Sequence, residues 1–187
     1  MSNQDILEKF ITASRKIGAQ TLQFPGLKEA AAYIGSKTEG TTLVPSTELA
    51  EKFRILELLQ ETGVNVFRGD FRKAGRIPGA GVTFSNFAMA DTGTVVLDST
   101  DENIRLATTL PEKHFIIVDP ATILTDNLAA VDPMNKLHSG HDPVFIAYIT
   151  GPSRTADIER VLTIGCHGPR ELHILIVNNI SDDLLIN

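Results

Sequence analysis

Cysteine is nearly absent from this chain of 187 residues, in which Cys166 is the only one. One thiol cannot form a disulfide framework within the chain, so we expect a reducing compartment, the cytoplasm. One thiolate also cannot hold an iron–sulfur cluster, which normally needs about four protein ligands. The sequence therefore excludes disulfide-rich secreted domains and self-contained iron–sulfur carriers.

Long apolar runs are also missing. No stretch approaches the roughly 20 consecutive apolar residues that a membrane-spanning helix needs. The first residues, MSNQDILEKF, lack a basic start followed by an apolar stretch, so we expect no signal peptide. A formal net charge of -6 and a pI near 5.3 give no general attraction to nucleic acids or anionic membranes. We therefore expect neither as a partner.

Two nucleotide-binding fingerprints are absent as well. No predicted strand is followed by a Gly-x-Gly-x-x-Gly turn, and no glycine-rich loop ends in Gly-Lys-Ser/Thr. We therefore predict that this chain binds no cofactor of its own.

The first third of the sequence contains a regular alternation of apolar segments. Residues 3–17 have helical spacing behind a capping box formed by Ser2 and Asp5. Helices and short buried strands then alternate, including a single helix predicted between Thr47 and Gly63. This alternation is typical of parallel strands joined by crossover helices. The predicted fold class is α/β, with a mostly parallel central sheet and flanking helices.

The rest of the chain continues without a recognisable interdomain linker. Residues 88–97 predict a hairpin, and residues 155–164 predict a helix before the last strand. We therefore predict one domain over residues 1–187, with an N-terminal helical segment over 1–18 and a peripheral tail over 179–187.

The segment from Gly151 to Asp157 is the first candidate binding site. A strand ends there, a Gly-Pro turn follows, and a helix is predicted to begin, so backbone N–H groups can hold an anion. Arg154 can add a bidentate contact. Asp157 repels an anion, so an ordinary helix cap with Arg154 paired to Asp157 is the alternative. The ligand-binding candidates in this segment are Gly151, Ser153, Arg154, Thr155 and Asp157.

The segment Gly165–Glu171 is the second candidate. An imidazole ordinarily changes charge near neutral pH, so His167 is the candidate acid or base and, with Gly168, a candidate ligand-binding residue. Cys166 beside it is a conceivable nucleophile. The alternative is a helix-terminal glycine and a turn into the last strand, and we favour that structural interpretation for Cys166.

The third candidate is the hairpin turn Asp91-Thr92-Gly93-Thr94. Asp and Gly suit a turn without any further role. Ligands of open parallel sheets bind outside the carboxyl ends of strands, so we expect the turn to share one rim with Ser153, Arg154 and His167. The spacing of His138, His141 and Asp142 could attract a metal, but a two-histidine loop without an established third ligand is a weak signal, and we predict no metal site.

Four strings together resemble the LUD-domain family. They are Ala90-Asp-Thr-Gly-Thr94, Leu110-Pro111 before the strand 114–118, Gly151-Pro-Ser-Arg-Thr-Ala-Asp157, and Gly165-Cys-His-Gly-Pro-Arg-Glu171. The resemblance covers residues 80–178 well and the first 80 in outline. It is greatest to the short, C-type lactate-utilisation form, because the ferredoxin-like cysteine clusters of the longer B form are missing.

The resemblance implies a fold like that of the sugar-phosphate isomerase and CoA-transferase group (NagB/RpiA/CoA transferase-like). It also implies an accessory role in oxidising lactate to pyruvate beside two iron–sulfur partner proteins, of the A and B types, which carry the clusters. Two alternatives stay open. One is a stand-alone enzyme acting on a phosphorylated or CoA-linked ligand. The other is a sensor of a small organic acid.

Overall fold

The fold is that of a computed structural model, which describes residues 2–74, 77–140, 143–155, 163–165 and 167–187. Its α-helices are α1 (Asn3–Lys16), α2 (Leu27–Lys37), α3 (Glu48–Lys52), α4 (Ile55–Glu61), α5 (Glu102–Thr109) and α6 (Val131–Leu137). The predicted capping box starts α1, because the backbone N–H of Asp5 donates to Ser2 Oγ and that of Ser2 donates to Asp5 Oδ2. In the described part of the chain, no helix is both long and apolar enough to cross a bilayer.

The strands of the described residues form three sheets. The strands are β1 (Gln20–Phe24), β2 (Thr41–Leu43), β3 (Asn65–Val66), β4 (Ala80–Phe84), β5 (Phe87–Met89), β6 (Thr94–Asp98), β7 (Lys113–Val118), β8 (Ile123–Leu124), β9 (Ile146–Ile149), β10 (Arg154–Thr155), β11 (Thr163–Ile164) and β12 (Glu171–Val177). The central sheet has the order β1-β12-β7-β4-β2-β3, and each of its described pairs is parallel. The predicted α/β class with a mostly parallel central sheet is confirmed.

A second sheet has the order β8-β5-β6-β9. Its β5–β6 pair is the predicted hairpin, with Phe87 opposite Val96 and Met89 opposite Thr94. This sheet packs with α1 against one face of the central sheet, where Ile116 and Ile174 lie. Helices α2, α3 and α4 cover the opposite face. Alternate side chains of β7 and β12 therefore enter two separate cores.

The helix predicted between Thr47 and Gly63 is divided into α3 and α4. Arg54 between them has φ 50°, a left-handed conformation that ends the first helix and reorients the second. The break brings Ile55 fully into the core. Burial of Ile55 therefore overrides the continuous helical pattern of the sequence.

The helix predicted over residues 155–164 is wrong at both of its described ends. Arg154–Thr155 pairs antiparallel with Thr163–Ile164, so these residues are extended. Three of the four residues are β-branched, which favours strand over helix. Residues 156–162 lie outside the described part.

The tail over residues 179–187 packs back on the domain. Ile180 is buried, and its N–H and that of Ser181 donate to the carboxylate of Asp119 at the end of β7. The side-chain amide of Asn187 donates to the backbone carbonyl of Asp98, and the backbone oxygen of Asn187 accepts from the N–H of Leu49. The tail thus lies across the carboxyl ends of the central strands, where α/β proteins often bind ligands.

Candidate functional site

A cavity of about 270 Å³ lies at the amino-terminal edge of β7 and β12, beside the end of β9. Its lining residues are Thr108, Thr109, His114, Ala147, Tyr148, Ile149, Thr150, Gly151, Pro152, Ser153, His167, Gly168, Pro169 and Leu172. None of these described residues carries a permanent charge. The polar side chains of the lining are four aliphatic hydroxyls, two imidazoles and the phenol of Tyr148. The cavity therefore suits a small polar molecule held by neutral hydrogen-bonding groups.

A wider cavity of about 510 Å³ adjoins it and shares Thr109, His167 and Gly168. Arg170 and Glu112 line this outer space, and Arg170 Nη1 lies 3.7 Å from Glu112 Oε1. Both side chains are well exposed, so this ion pair contributes little to stability. His167 lies at the mouth between the two cavities, where it is exposed.

His114 is the buried polar residue of the inner cavity. It is the second residue of β7, on the face that carries Ile116, and only 1% of its surface is exposed. Its Nε2 lies 2.9 Å from the Thr83 hydroxyl on neighbouring β4. Burial, with a smaller effect from His173, lowers the pKa of His114 to about 3. At neutral pH this imidazole is therefore uncharged.

The hairpin turn reaches the cavity through a chain of hydroxyls. Thr92 Oγ1 lies 2.8 Å from Thr94 Oγ1, which lies 2.8 Å from Thr150 Oγ1 in the cavity wall. Asp91 is exposed on the turn, and Gly93 is buried against α1. Of this predicted group, Thr94 is the member in direct contact with a lining residue.

Arg154 is placed differently from the prediction. Its Nη2 donates to the carbonyl of Ile17, the C-terminal cap of α1, where a cation is also favourable to the helix dipole. Gly151 has φ 82°, and a Cβ there would lie 2.6 Å from the same carbonyl oxygen. Arg154 and Gly151 therefore secure the end of α1. The expected pairing of Arg154 with Asp157 concerns a residue outside the described part.

The loops around Ser153 are extended. The N–H of Ser153 donates to the carbonyl of Pro169, and the N–H of Gly165 donates to the carbonyl of Ser153. The predicted helix does not begin at Thr155, which is extended, and the N–H groups of its predicted first turn belong to residues outside the described part. Thr155 belongs to β10 and is half-buried, and Cys166 lies outside the described part.

The inner cavity is lined by four of the predicted site residues, Gly151, Ser153, His167 and Gly168. Its rim differs from the expected one, because it is the amino-terminal edge of the central sheet. Sequence reasoning missed His114, Thr83 and Thr150 as site residues. The signal available for the first two was a polar side chain within a buried strand, which indicates a specific partner.

A second polar network lies on the opposite face of the central sheet. His173 Nε2 lies 2.9 Å from Glu171 Oε2, and the Tyr33 hydroxyl on α2 lies 3.0 Å from His173 Nδ1. Burial lowers the pKa of His173, although Glu171 opposes the shift. Burial, and then Glu171, raise the pKa of Tyr33. This network joins α2 to β12. Among the described residues, no three His, Cys, Asp or Glu side chains gather as a metal site.

The sequence profile of the LUD domain matches residues 7–177. The chain belongs to the LUD-domain family. A crystal structure of a DUF162 family protein from Deinococcus radiodurans has the same fold, with a TM-score of 0.66 at 19% identity over 95% of this chain and 99% of that chain.

Relatives in three bacteria carry the name lactate utilization protein C. The Anoxybacillus flavithermus protein is 31% identical over 75% of this chain and 64% of its own length. The Geobacillus kaustophilus protein is 30% identical over 81% and 67%, and the Bacillus subtilis protein is 31% identical over 75% and 63%. The chain thus spans about two thirds or less of these LUD-domain relatives.

Proposed function

We propose that this LUD-domain chain takes part in lactate utilisation as an accessory subunit that binds a small 2-hydroxy acid. The name of its relatives, lactate utilization protein C, supports the process. The inner cavity supports the ligand class and is the observation that carries the proposal. Its volume of about 270 Å³ is just below the roughly 300–1,000 Å³ typical of drug-sized ligands, so a three-carbon acid fits.

The uncharged lining favours an organic acid over a phosphorylated or CoA-linked ligand. Phosphate groups are usually held by Arg or Lys, and such side chains are absent from the described lining of the inner cavity. Arg170 lines the outer cavity, where its ion pair with Glu112 offsets its charge. A carboxylate can be held by hydroxyl and imidazole donors alone.

The redox step belongs to partner proteins. Oxidation of lactate to pyruvate releases two electrons and two protons, and the electrons need an acceptor. The chain has one cysteine, whereas a cluster normally needs about four ligands. We therefore assign the electrons to clusters in two iron–sulfur proteins of the A and B types, while this chain handles the substrate or the assembly.

The test is lactate-dependent dye reduction by the purified chain and its two candidate partners. We expect no reduction by the chain alone, and faster reduction by the three together than by the two partners without it. Reduction of dye by the isolated chain, or a flavin spectrum from it, contradicts the accessory role. So does an unchanged rate when the chain is omitted.

A further inference from the structure

Thr83 and His114 form a buried hydrogen-bonded pair. Their side chains lie on the neighbouring strands β4 and β7, with the Thr83 hydroxyl 2.9 Å from His114 Nε2. Thr83 is 2% exposed and His114 is 1% exposed. In the described part of the chain, His114 Nε2 is the only hydrogen-bond partner of Thr83 Oγ1.

The hydroxyl of Thr83 therefore decides which ring nitrogen of His114 carries the proton. A buried O–H group needs an acceptor, and Nε2 is the acceptor within reach. If Nε2 instead donated to Thr83, the threonine proton would have no partner among the described residues, and Thr83, unlike His114, is not among the described lining of a cavity that could supply one. With Thr83 donating, Nε2 is unprotonated and Nδ1 of the neutral ring carries the hydrogen.

Nδ1 is then a donor in need of an acceptor. None of the described residues forms a hydrogen bond with it, and His114 lines the inner cavity. An N–H donor in a cavity wall gains from an acceptor that binds in the cavity. An oxygen atom of a molecule bound in the cavity can supply the acceptor for Nδ1–H.

We propose that the Nδ1–H of His114 donates a hydrogen bond to an oxygen of a small organic acid bound in the inner cavity, with Thr83 as the positioning residue that fixes the tautomer. This inference rests on the proposed function. The acid class is that of the proposed function, and a carboxylate oxygen accepts a stronger hydrogen bond from Nδ1–H than a neutral oxygen does. Because burial holds the pKa of His114 at about 3, the ring stays a neutral donor throughout the physiological range.

Two amide variants separate the two ring nitrogens. His114→Asn places an amide N–H near the Nδ1 position and loses the contact with Thr83. His114→Gln keeps a partner for Thr83 near the Nε2 position and loses the donor at Nδ1. Titrating the full chain with racemic sodium lactate, we expect His114→Gln to weaken binding about ten- to a hundredfold, as for a lost hydrogen bond to a charged group. Binding by His114→Asn should stay within a fewfold of the wild type.

Thr83 variants test the positioning role. Thr83→Val removes the hydroxyl at equal volume, so both tautomers become accessible and lactate binding should weaken severalfold. Thr83→Ser should restore it. If Thr83→Val binds lactate as tightly as the wild type, Thr83 does not fix the tautomer.

A spectroscopic measurement on the wild-type chain does not depend on how the variants fold. The ¹⁵N shifts of the His114 ring, assigned through bonds, should show a protonated Nδ1 and an unprotonated Nε2. The Nδ1 shift should move on adding lactate. A protonated Nε2 overturns the inference, and so does lactate binding that leaves Nδ1 and the His114→Gln affinity unchanged. If the wild type binds no lactate at all, the ligand class of the proposed function fails as well.

Discussion

His114 couples the candidate site to the stability of the fold. Burial holds its pKa at about 3 in the folded chain, against about 6.5 when it is exposed. The unfolded chain therefore binds the extra proton first as the pH falls. The stability associated with the neutral ring is complete above about pH 6.5 and is lost as the pH falls towards 3.

From this shift we expect His114 to account for about 2 kcal/mol of stability lost between pH 7 and pH 5. The measurement is the free energy of unfolding in urea at both values, for the wild type and His114→Gln. His173 contributes a shift of the same sign, but it is present in both proteins and cancels in the comparison. Equal pH dependence in the two proteins contradicts a buried, neutral His114.

Arg154 is expected to contribute to the stability of the fold. Because its guanidinium donates to the Ile17 carbonyl from an exposed position, Arg154→Ala should cost about 1 kcal/mol, roughly 3 °C in melting temperature. Lactate affinity should not change. Arg170→Ala is the matched control, since its exposed ion pair with Glu112 should contribute less than about 0.5 kcal/mol. A loss of affinity without a loss of stability in Arg154→Ala would return Arg154 to the binding site.

These residues show what sequence can and cannot indicate about a site. Ser153 and His167 were found because glycine and proline beside them mark exposed loops, where function is common. His114 was missed because it lies near the start of an apolar strand, and its partner Thr83 is 31 positions away. Arg154 was misassigned because its acceptor belongs to α1, at the other end of the chain. Pairings over such distances follow from packing and leave no local pattern.

At the scale of elements, two turns meet the end of α1 at glycines. Gly93 of the β5–β6 turn has φ 67°, and a Cβ there would lie 2.4 Å from the backbone nitrogen of Ser14. Gly151 approaches the Ile17 carbonyl in the same way. The last turn of α1 can pack against both loops because neither has a side chain at the contact.

Gly93→Ala should therefore cost about 2–5 kcal/mol, from left-handed strain together with the collision against backbone. Gly40→Ala is the control, because Gly40 has φ 81° with nothing within 4 Å of an added Cβ. In Gly40→Ala, backbone strain alone should lower the free energy of unfolding by about 1–2 kcal/mol. Equal losses in urea denaturation would show that the close approach to α1 contributes nothing.

Most elements could be predicted from sequence, and the exceptions have physical causes. The hairpin 88–97 could be predicted from the Asp and Gly residues of its turn, and α1 from its capping box. The helix predicted over 155–164 is wrong at its described ends, because the helical periodicity took no account of the pairing of Arg154–Thr155 with Thr163–Ile164. The division of α3 from α4 at Arg54 had no glycine or proline to mark it. Tertiary packing decides both cases.

At the scale of the whole molecule, the two sheets create the candidate site. Strand β9 of the second sheet brings Thr150 and Gly151 to the amino-terminal edge of the central sheet, beside His114 and Leu172. The carboxyl edge, where the sequence argument expected ligands, is crossed by residues 180–187. The parallel orientation of the central strands could be predicted, but the packing of one sheet on the other could not.

The central claim is that the inner cavity must be open for lactate to be oxidised by the three-protein system. Thr109 allows a direct test, because it is exposed at the end of α5 and lines both cavities. Thr109→Trp should block the shared mouth, and Thr109→Val should leave it open. In lactate-dependent dye reduction with both iron–sulfur partners, we predict that the Thr109→Trp mixture falls to the rate without this chain, while Thr109→Val keeps the wild-type rate. A wild-type rate from folded Thr109→Trp would contradict the account.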